Sequence, residues 1–481
     1  MTTPSGDDTD SNPERKPTSG VMRRFLATHK SSLPILFLSV FVGLFAGLLC
    51  TFFDITIDWV INQREHWLDG RSDLAWSTIL VIMLSSSILS AFGFYLVIRV
   101  APEAAGSGIP EIEGALDGVR PVRWWRVIPV KFFGGIGAIG AGLVLGREGP
   151  SVQMGASVGR MLTDIFKIDS DESRHSLVAA GAAAGLAAAF NAPLAGIMFV
   201  IEEMRPQFKY NLISIKAVMI ASIMATITYR FFLGQGAMIP LPAHDEVPLA
   251  SLALFLVLGL VFGFIGVLFN RLVIMSMDGF ERFHRHETKR FVGIGATLGA
   301  VFGLLALFLP KLTGEGADLI PDAVSGTFSL SLLLMLFFAR AITTLACFSS
   351  GAPGGVFAPM LALGTLFGTC FGAVCIMLFP DLDITMGMFA VAGMGALFAA
   401  TVRAPVTGIL LVIELTHNYE LILPLLITSL GATMTAQAVG GKPLYSQLLH
   451  RALSKQKAEL PPENGSEEDE AGNKTETNQS R

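Results

Sequence analysis

Long apolar segments that carry almost no charge are the feature that most constrains this chain. Eleven of them follow one another between residues 33 and 439. About 20 apolar residues cross a bilayer as a helix, and a helix satisfies its backbone polar groups internally. The sequence therefore predicts an all-α polytopic membrane protein. The segments lie near residues 33–61, 76–98, 127–166, 177–201, 212–233, 250–277, 291–309, 328–348, 353–379, 384–415 and 421–439.

The composition and charge of the chain agree with this prediction. Charged residues make up 15% of the 481 residues and the mean hydropathy is +0.59, whereas a soluble domain has about 25% charged residues. The net charge of -5 comes from the end of the chain, because residues 1–458 carry 32 charges of each sign. The body is neutral, so nothing indicates a nucleic-acid partner.

The basic residues predict the orientation in the membrane. The loop between the first two segments holds two basic residues, Arg64 and Arg71. More basic residues lie before the first segment and after the second. By the positive-inside rule, the N-terminus is expected in the cytoplasm. The concentrated residues are Arg15, Lys16, Arg23, Arg24 and Lys30 before the first segment, and Arg99, Arg120, Arg123 and Arg126 after the second.

Prolines interrupt several segments at membrane depth. All but Pro110, which follows Ile109, come directly after Gly or Ala, as at the start of a helix, where the missing N–H costs nothing. The pattern predicts helix starts buried in the bilayer. These prolines are Pro110, Pro150, Pro193, Pro359 and Pro405.

The chain also contains an internal repeat. Gly181, Pro193 and Glu202 match Gly393, Pro405 and Glu414 at a constant offset of 212 in the numbering. Similar matches occur at offsets of 209 and 216, so the chain has two homologous halves, expected to be inverted. Interrupted segments at corresponding positions indicate a substrate site at the interface of the repeats.

Three glycine-rich corners indicate what that site binds. They are Gly106-Ser107-Gly108-Ile109-Pro110, Gly146-Arg147-Glu148-Gly149-Pro150 and Gly355-Val356-Phe357-Ala358-Pro359. Helix N-termini present unpaired N–H groups and a partial positive charge, so several of them converging favour an anion. Ser107 adds a hydroxyl donor without the full charge that would trap an anion.

These corners resemble the GSGIP, GREGP and G(I/V)FAP signatures of the CLC family of chloride channels and chloride/proton antiporters. The resemblance covers about residues 33–458 and is closest to the bacterial antiporters, which implies a homodimer in the inner membrane with both termini cytoplasmic. It also implies chloride-binding residues and a separate outer anion position. Chloride would be bound by Ser107, the amides of Val356 and Phe357, and the Tyr445 hydroxyl; the outer position would involve Arg147, Glu148, Gly149 and Ala358.

Glu148 is the strongest candidate for a gate. A carboxylate at an N–H-rich helix start mimics the transported anion and leaves when it is protonated, so it could serve as gate and proton carrier. The alternative is an interfacial carboxylate paired with Arg147.

Glu203 is the second candidate carboxylate. The resemblance implies that it receives protons from the cytoplasm, which favours exchange over passive conduction. Its alternative is a solvated helix end, and the alternative for Tyr445 is a residue of the aromatic belt.

The predicted layout has five parts. Residues 1–32 form a cytoplasmic segment, residues 33–249 and 250–440 form the two repeats, residues 441–460 form a pore-lining or cytoplasmic segment, and residues 461–481 form a disordered acidic tail. The sequons at Asn464, Asn473 and Asn478 fall in this tail and are taken as chance matches.

The sequence thus predicts a secondary transporter that exchanges chloride for protons, with chloride, protons, lipid and a second copy of the chain as partners. No cofactor, metal or enzymatic activity is expected. One alternative is a passive chloride channel of the same fold. Another, from a different class, is an intramembrane enzyme that uses Ser107 or Glu148. The buried charges Asp54, Glu113, Lys131 and Arg340 are interpreted as structural partners or vestibule residues.

Overall fold

The computed structural model describes residues 18–69, 76–204, 211–241, 247–285 and 287–459. Arg15, Lys16, Arg71, the three sequons and the acidic tail lie outside these ranges. So does the segment 205–210 that follows Glu203 and Met204.

Seventeen α-helices make up these ranges, which contain no β-strand beyond one isolated bridge. Eight of the helical stretches are long and apolar enough to cross a membrane, so the prediction of an all-α polytopic membrane protein is confirmed. The helices are α1 (Thr18–Asp69), α2 (Trp76–Arg99), α3 (Ile109–Leu116), α4 (Trp124–Gly140), α5 (Glu148–Ile165), α6 (Asp171–Phe190), α7 (Pro193–Glu202), α8 (Leu212–Leu233), α9 (Leu252–His284), α10 (Thr288–Phe308), α11 (Leu319–Val324), α12 (Leu330–Ser349), α13 (Phe357–Leu378), α14 (Met386–Val402), α15 (Pro405–Thr416), α16 (Ile422–Ala438) and α17 (Leu444–Glu459).

Breaks divide three of the predicted apolar segments into two helices each. The segments 127–166, 177–201 and 384–415 become α4 and α5, α6 and α7, and α14 and α15. All five prolines lie within the first three residues of a helix, where proline is tolerated. The helix starts predicted within the membrane segments are therefore present.

The two halves repeat the same backbone conformations at equivalent positions. Asn191 and its equivalent Arg403 both end their helices in the left-handed region, with φ of 52° and 73°. Gly106 and Gly108 have φ of 61° and 86°, and the corresponding pair in the second half, Gly314 and Gly316, has φ of 64° and 93°. Such torsions favour glycine because a β-carbon is strained there. The two halves therefore share one backbone plan.

Equivalent residues of the two halves run in opposite directions where they meet. Gly146 and Gly355 exchange two backbone hydrogen bonds, of 2.8 and 2.7 Å, in an antiparallel bridge. Glu202, at the end of α7, accepts hydrogen bonds from the first backbone N–H groups of α15, and Glu414 does the same for α7. Reciprocal contacts of this kind relate the two halves by a local two-fold axis, an arrangement that is compatible with the inverted repeat expected from the sequence.

Glycines allow the interior helices to pack at close range. A β-carbon on Gly155 of α5 would collide with the carbonyl oxygen of Gly181 in α6, and the same holds for Gly364 of α13 against Gly393 of α14. These glycines are packing residues, as are Gly295 and Gly299 against α2. The four cysteines are free and buried.

Candidate functional site

The Ser107 loop lies against the start of α5. Ser107 is buried between Gly106 and Gly108, and α3 begins two residues later. A β-carbon on Gly149 would lie 2.5 Å from the Ser107 Oγ and 3.0 Å from its Cα. Glycine at 149 therefore permits the close approach of the loop to this helix start.

The start of α13 joins the same place. Gly355 is bridged to Gly146, and the Gly106 N–H donates to the Ala352 carbonyl at 3.1 Å. The N-termini of α3, α5 and α13 therefore converge, as the glycine-rich corners predicted. Each helix start has backbone N–H groups without a partner inside the helix, and together they form an environment suited to an anion.

Val356 and Phe357 open α13. Val356 is its N-cap residue and Phe357 its first helical residue, and neither side chain is exposed. The Phe357 ring packs against Phe398, Phe190 and Phe199, with centroid distances of 4.3, 5.7 and 6.0 Å. These aromatic contacts hold the helix start in place, so the two backbone N–H groups have a fixed direction.

Tyr445 completes this part of the site from the first turn of α17. Its side chain is fully buried, and its hydroxyl lies beside Ser107. Neither hydroxyl has a hydrogen-bond partner of normal geometry among the described residues. A residue of the aromatic belt would face the membrane surface, so that alternative does not fit Tyr445.

Two buried cations hold equivalent loops. Lys131 donates to the Gly106 carbonyl at 2.6 Å, and Arg340, at the matching place in the second half, donates to the Gly314 carbonyl at 2.9 Å. Arg340 also binds the carbonyls of Lys311 and Thr313. These cations are structural partners of carbonyl groups. The sequence indicated such a role only in general terms.

Glu148 is the first residue of α5 and is 1% exposed. Its Oε2 has no hydrogen-bond partner among the described residues and lies 3.4 Å from where a β-carbon of Gly355 would be. The carboxylate faces a cavity of about 30 Å³, named here the Glu148 cavity, whose lining includes Phe190, Glu315 and Ala358. A cavity of this volume holds about one water molecule or one small ion.

Arg147 binds other carboxylates than Glu148. Its guanidinium lies 2.8 Å from Glu315, 3.2 Å from Asp58 and 3.7 Å from Asp54. No ion pair joins Arg147 to Glu148 within the described residues, so the alternative of an interfacial Arg147–Glu148 pair does not fit. Only the backbone of Arg147 is left to contribute to an anion position.

Sequence reasoning missed Glu315. It stands between Gly314 and Gly316, and this Gly-x-Gly triplet matches Gly106-Ser107-Gly108 at an offset of 208. That match was a usable signal, because it places Glu315 at the position equivalent to Ser107.

Comparisons with known proteins identify the family. The family described as "Voltage gated chloride channel" matches residues 89–437. An H(+)/Cl(-) exchange transporter ClcA of Vibrio vulnificus is 60% identical over 436 residues, which cover 91% of this chain and 93% of that one. The corresponding transporter of Vibrio cholerae is 58% identical over 446 residues, 92% of this chain and 95% of the other. The chain belongs to the CLC family.

A solved structure of a CLC protein supports the same family assignment. The crystal structure of a slow cyanobacterial Cl-/H+ antiporter superposes with a TM-score of 0.84 at 41% identity, covering 88% of this chain and 99% of that one. The relatives are named as transporters, which confirms the expectation that the chain is not an enzyme.

In this CLC protein, Glu203 is the C-cap residue of α7. It is 7% exposed, and its Oε1 has no hydrogen-bond partner among the described residues. Phe199, one turn earlier, packs on Phe357 and so connects this region to the start of α13. Glu202 caps α15. Neither glutamate fits the alternative of a solvated helix end.

Arg147→Gln is expected to destabilise the protein. Asp54 is 1% exposed and would lose its only ion-pair partner among the described residues; breaking a buried pair costs about 3–5 kcal/mol. The free energy of unfolding can be followed by thermal or denaturant melts of purified protein. Arg290→Gln is the control, because Arg290 and Glu287 are 45% and 54% exposed, and such pairs contribute about 0–1 kcal/mol.

A second variant checks the assignment. Asp54→Asn combined with Arg147→Gln should recover part of the loss, because Asp54 then carries no uncompensated buried charge, whereas Glu315 still lacks its partner. A double variant as unstable as Arg147→Gln alone would show that Asp54 is not the residue that Arg147 neutralises.

Proposed function

We propose that this protein is a secondary active transporter that exchanges chloride for protons. The position of Glu148 carries the proposal: a buried carboxylate with a free oxygen stands at the convergence of three helix N-termini. Relatives named H(+)/Cl(-) exchange transporter, with about 60% identity, support the choice of ions.

Chloride binds between the Ser107 loop, the start of α13 and Tyr445. Two unpartnered hydroxyls and the first N–H groups of α13 supply hydrogen-bond donors without a full positive charge. An ion held this way is bound and can still leave. A second, outer anion position lies at the start of α5, near the backbone of Arg147 and Gly149 and beside Ala358 in the Glu148 cavity.

Glu148 gates this route. When ionised, its carboxylate occupies the anion position at the helix start, where N–H groups favour negative charge. When protonated, it loses that attraction and vacates the position for chloride. The same event carries a proton, so anion and proton movements alternate at one side chain.

Glu203 passes protons between the cytoplasm and the inner end of the route. It is buried at the end of α7, within one turn of a residue that contacts the start of α13. The alternative function, a passive chloride channel of the same fold, needs no such residue. Proton movement therefore separates the two functions.

Substitutions of the two glutamates are expected to impair transport in different ways. Glu148→Ala removes both the gate and the titrating group, so chloride should flow passively without proton coupling. Glu203→Gln should abolish proton transport while chloride still crosses, and lower external pH should speed chloride in this variant but not in Glu148→Ala. The measurement is simultaneous recording of chloride and proton fluxes in liposomes loaded with purified protein.

Glu420→Gln is the matched control, because Glu420 is exposed and outside both regions. It should exchange like the parent. Uphill proton pumping by Glu148→Ala or Glu203→Gln under a chloride gradient would contradict the mechanism, and a parent that moves chloride without protons would favour the channel.

Removing single hydroxyls tests the chloride site. Tyr445→Phe deletes one donor and should weaken chloride binding by about tenfold, since a hydrogen bond to a charged group contributes about 1.5–3 kcal/mol. From the family pattern, Ser107→Pro should shift preference toward nitrate. Calorimetric titration with chloride and nitrate measures both effects. Tyr95→Phe, at a half-exposed position on α2, is the control. Parent-like binding by Tyr445→Phe would place that hydroxyl outside the site.

We further propose that the protein is a homodimer in the bacterial inner membrane, with both termini in the cytoplasm and the repeats at residues 33–249 and 250–440. Residues 441–460 would line the pore or face the cytoplasm. Neighbouring helices α7, α15 and α16 expose apolar side chains that a second copy would cover. These residues include Leu194, Val406, Ile422, Leu426 and Met434.

Tryptophan at the proposed dimer interface should separate the subunits. Ile201→Trp with Ile422→Trp overfills the contact between copies, which costs about 1–3 kcal/mol per site, so cross-linking in detergent should yield monomers. Leu80→Trp with Ile88→Trp places the same bulk on exposed positions of α2 and should leave the dimer intact. Full cross-linking of the first pair would locate the interface elsewhere.

A further inference from the structure

Glu315 is a charged residue of the Glu148 cavity that the proposed exchange does not use. Its side chain is 16% exposed and lines the cavity together with Glu148 and Ala358. Arg147 binds both of its carboxylate oxygens, Oε1 at 2.8 Å and Oε2 at 3.3 Å. The carboxylate is therefore fixed at the cavity instead of moving freely in solvent.

The charges around the cavity do not cancel. Arg147 is the cation of the cluster, and its three ion-pair partners Asp54, Asp58 and Glu315 are acids. Even with Asp54 protonated, Asp58 and Glu315 outnumber the single cation, so the cluster keeps a net negative charge before Glu148 is counted. An anion that enters the cavity meets this field at short range, where the partly buried surroundings screen it less than bulk water does.

The repeat adds an independent observation. Glu315 stands at the position equivalent to Ser107, between glycines of nearly equal φ, and each loop is held by an equivalent buried cation, Lys131 or Arg340. The first glycine N–H of each loop donates at 3.1 Å to the opposite half, to Ala352 and Gly142 respectively. One scaffold thus presents a neutral hydroxyl in one half and a carboxylate in the other.

We propose that Glu315 determines chloride affinity at the Glu148 cavity, and keeps it low. Held by Arg147, its carboxylate repels chloride at the Glu148 cavity, whereas Ser107, at the equivalent position of the other loop, offers a hydrogen-bond donor. Chloride therefore binds more weakly at the Glu148 cavity and is released there more readily. This inference rests on the proposed chloride exchange.

The test measures chloride affinity separately from the two sides of the membrane. Full-length parent, Glu315→Gln and Glu315→Ser are reconstituted in liposomes with one orientation blocked, and the KM for chloride is measured on each side. On the side of the Glu148 cavity, the KM should fall about fivefold in Glu315→Gln, because one fixed negative charge within a few ångströms is removed. Glu315→Ser, which copies the residue at 107, should lower it at least as far. The KM on the other side and the proton-to-chloride ratio should not change.

Two control variants separate charge at the cavity from other effects. Asp58→Asn removes the same charge from the same Arg147 cluster, but Asp58 is 50% exposed and does not line the cavity; solvent screening should keep its effect below about twofold. Glu315→Asp retains the charge and should restore a KM close to that of the parent. Monodisperse elution on gel filtration confirms that each variant is folded, and three substitutions at 315 make the test independent of any one of them.

Three results would overturn the inference: an unchanged KM in both Glu315→Gln and Glu315→Ser, an equal fall in Asp58→Asn, or an equal fall on both sides of the membrane. Failure of the proposed function looks different. In that case the parent itself would show no chloride-dependent proton flux, whereas failure of this inference alone leaves parent exchange normal.

Discussion

The unpaired N–H groups at helix starts are the feature on which the rest of this structure depends. A helix that begins inside a bilayer leaves several backbone donors without a partner, and lipid offers none. Here the starts of α3, α5 and α13 meet one another, linked by the Gly146–Gly355 bridge and the bond from Gly106 to Ala352. An anion satisfies donors gathered in this way. The helices that begin inside the bilayer are therefore also the elements whose N-termini form the candidate anion site.

Inverted repetition explains how a chain can bring such ends together. A helix that stops at the midplane from one side meets its equivalent from the other side only if the two halves run in opposite directions. The reciprocal caps show this geometry, because Glu202 satisfies the start of α15 and Glu414 the start of α7. The buried cations Lys131 and Arg340 repeat one arrangement within each half, since each donates to a carbonyl of the glycine loop in its own half. Pairing of this kind makes buried charge tolerable in an apolar interior.

Much of this arrangement could be predicted from the sequence, because its signals are local or periodic. Prolines such as Pro193 and Pro405 mark helix starts, and the constant offset between matching residues identifies the halves. Glu148 and Ser107 were found because they stand in glycine-rich corners. The partners of Arg147 could not be found this way: Asp54, Asp58 and Glu315 come from distant parts of the chain, and only the fold brings them to one guanidinium. Adjacency in sequence made Glu148 an alternative partner of Arg147, but no ion pair joins the two side chains within the described residues.

The directions in which two exchanged ions move are set by their gradients, so exchange does not itself require different chemistry in the two halves. Equivalent positions of this scaffold nevertheless carry different groups. The first residue of α5 is Glu148, whereas the first residue of α13, its equivalent in the second half, is Phe357. At one helix start a carboxylate can titrate and compete with an anion, whereas at the other an apolar ring packs among phenylalanines and leaves only the backbone donors. A proton can therefore be taken up at one of the two equivalent starts and not at the other. On the proposed mechanism, this difference between a carboxylate and a ring confines proton uptake at the two helix starts to the start of α5.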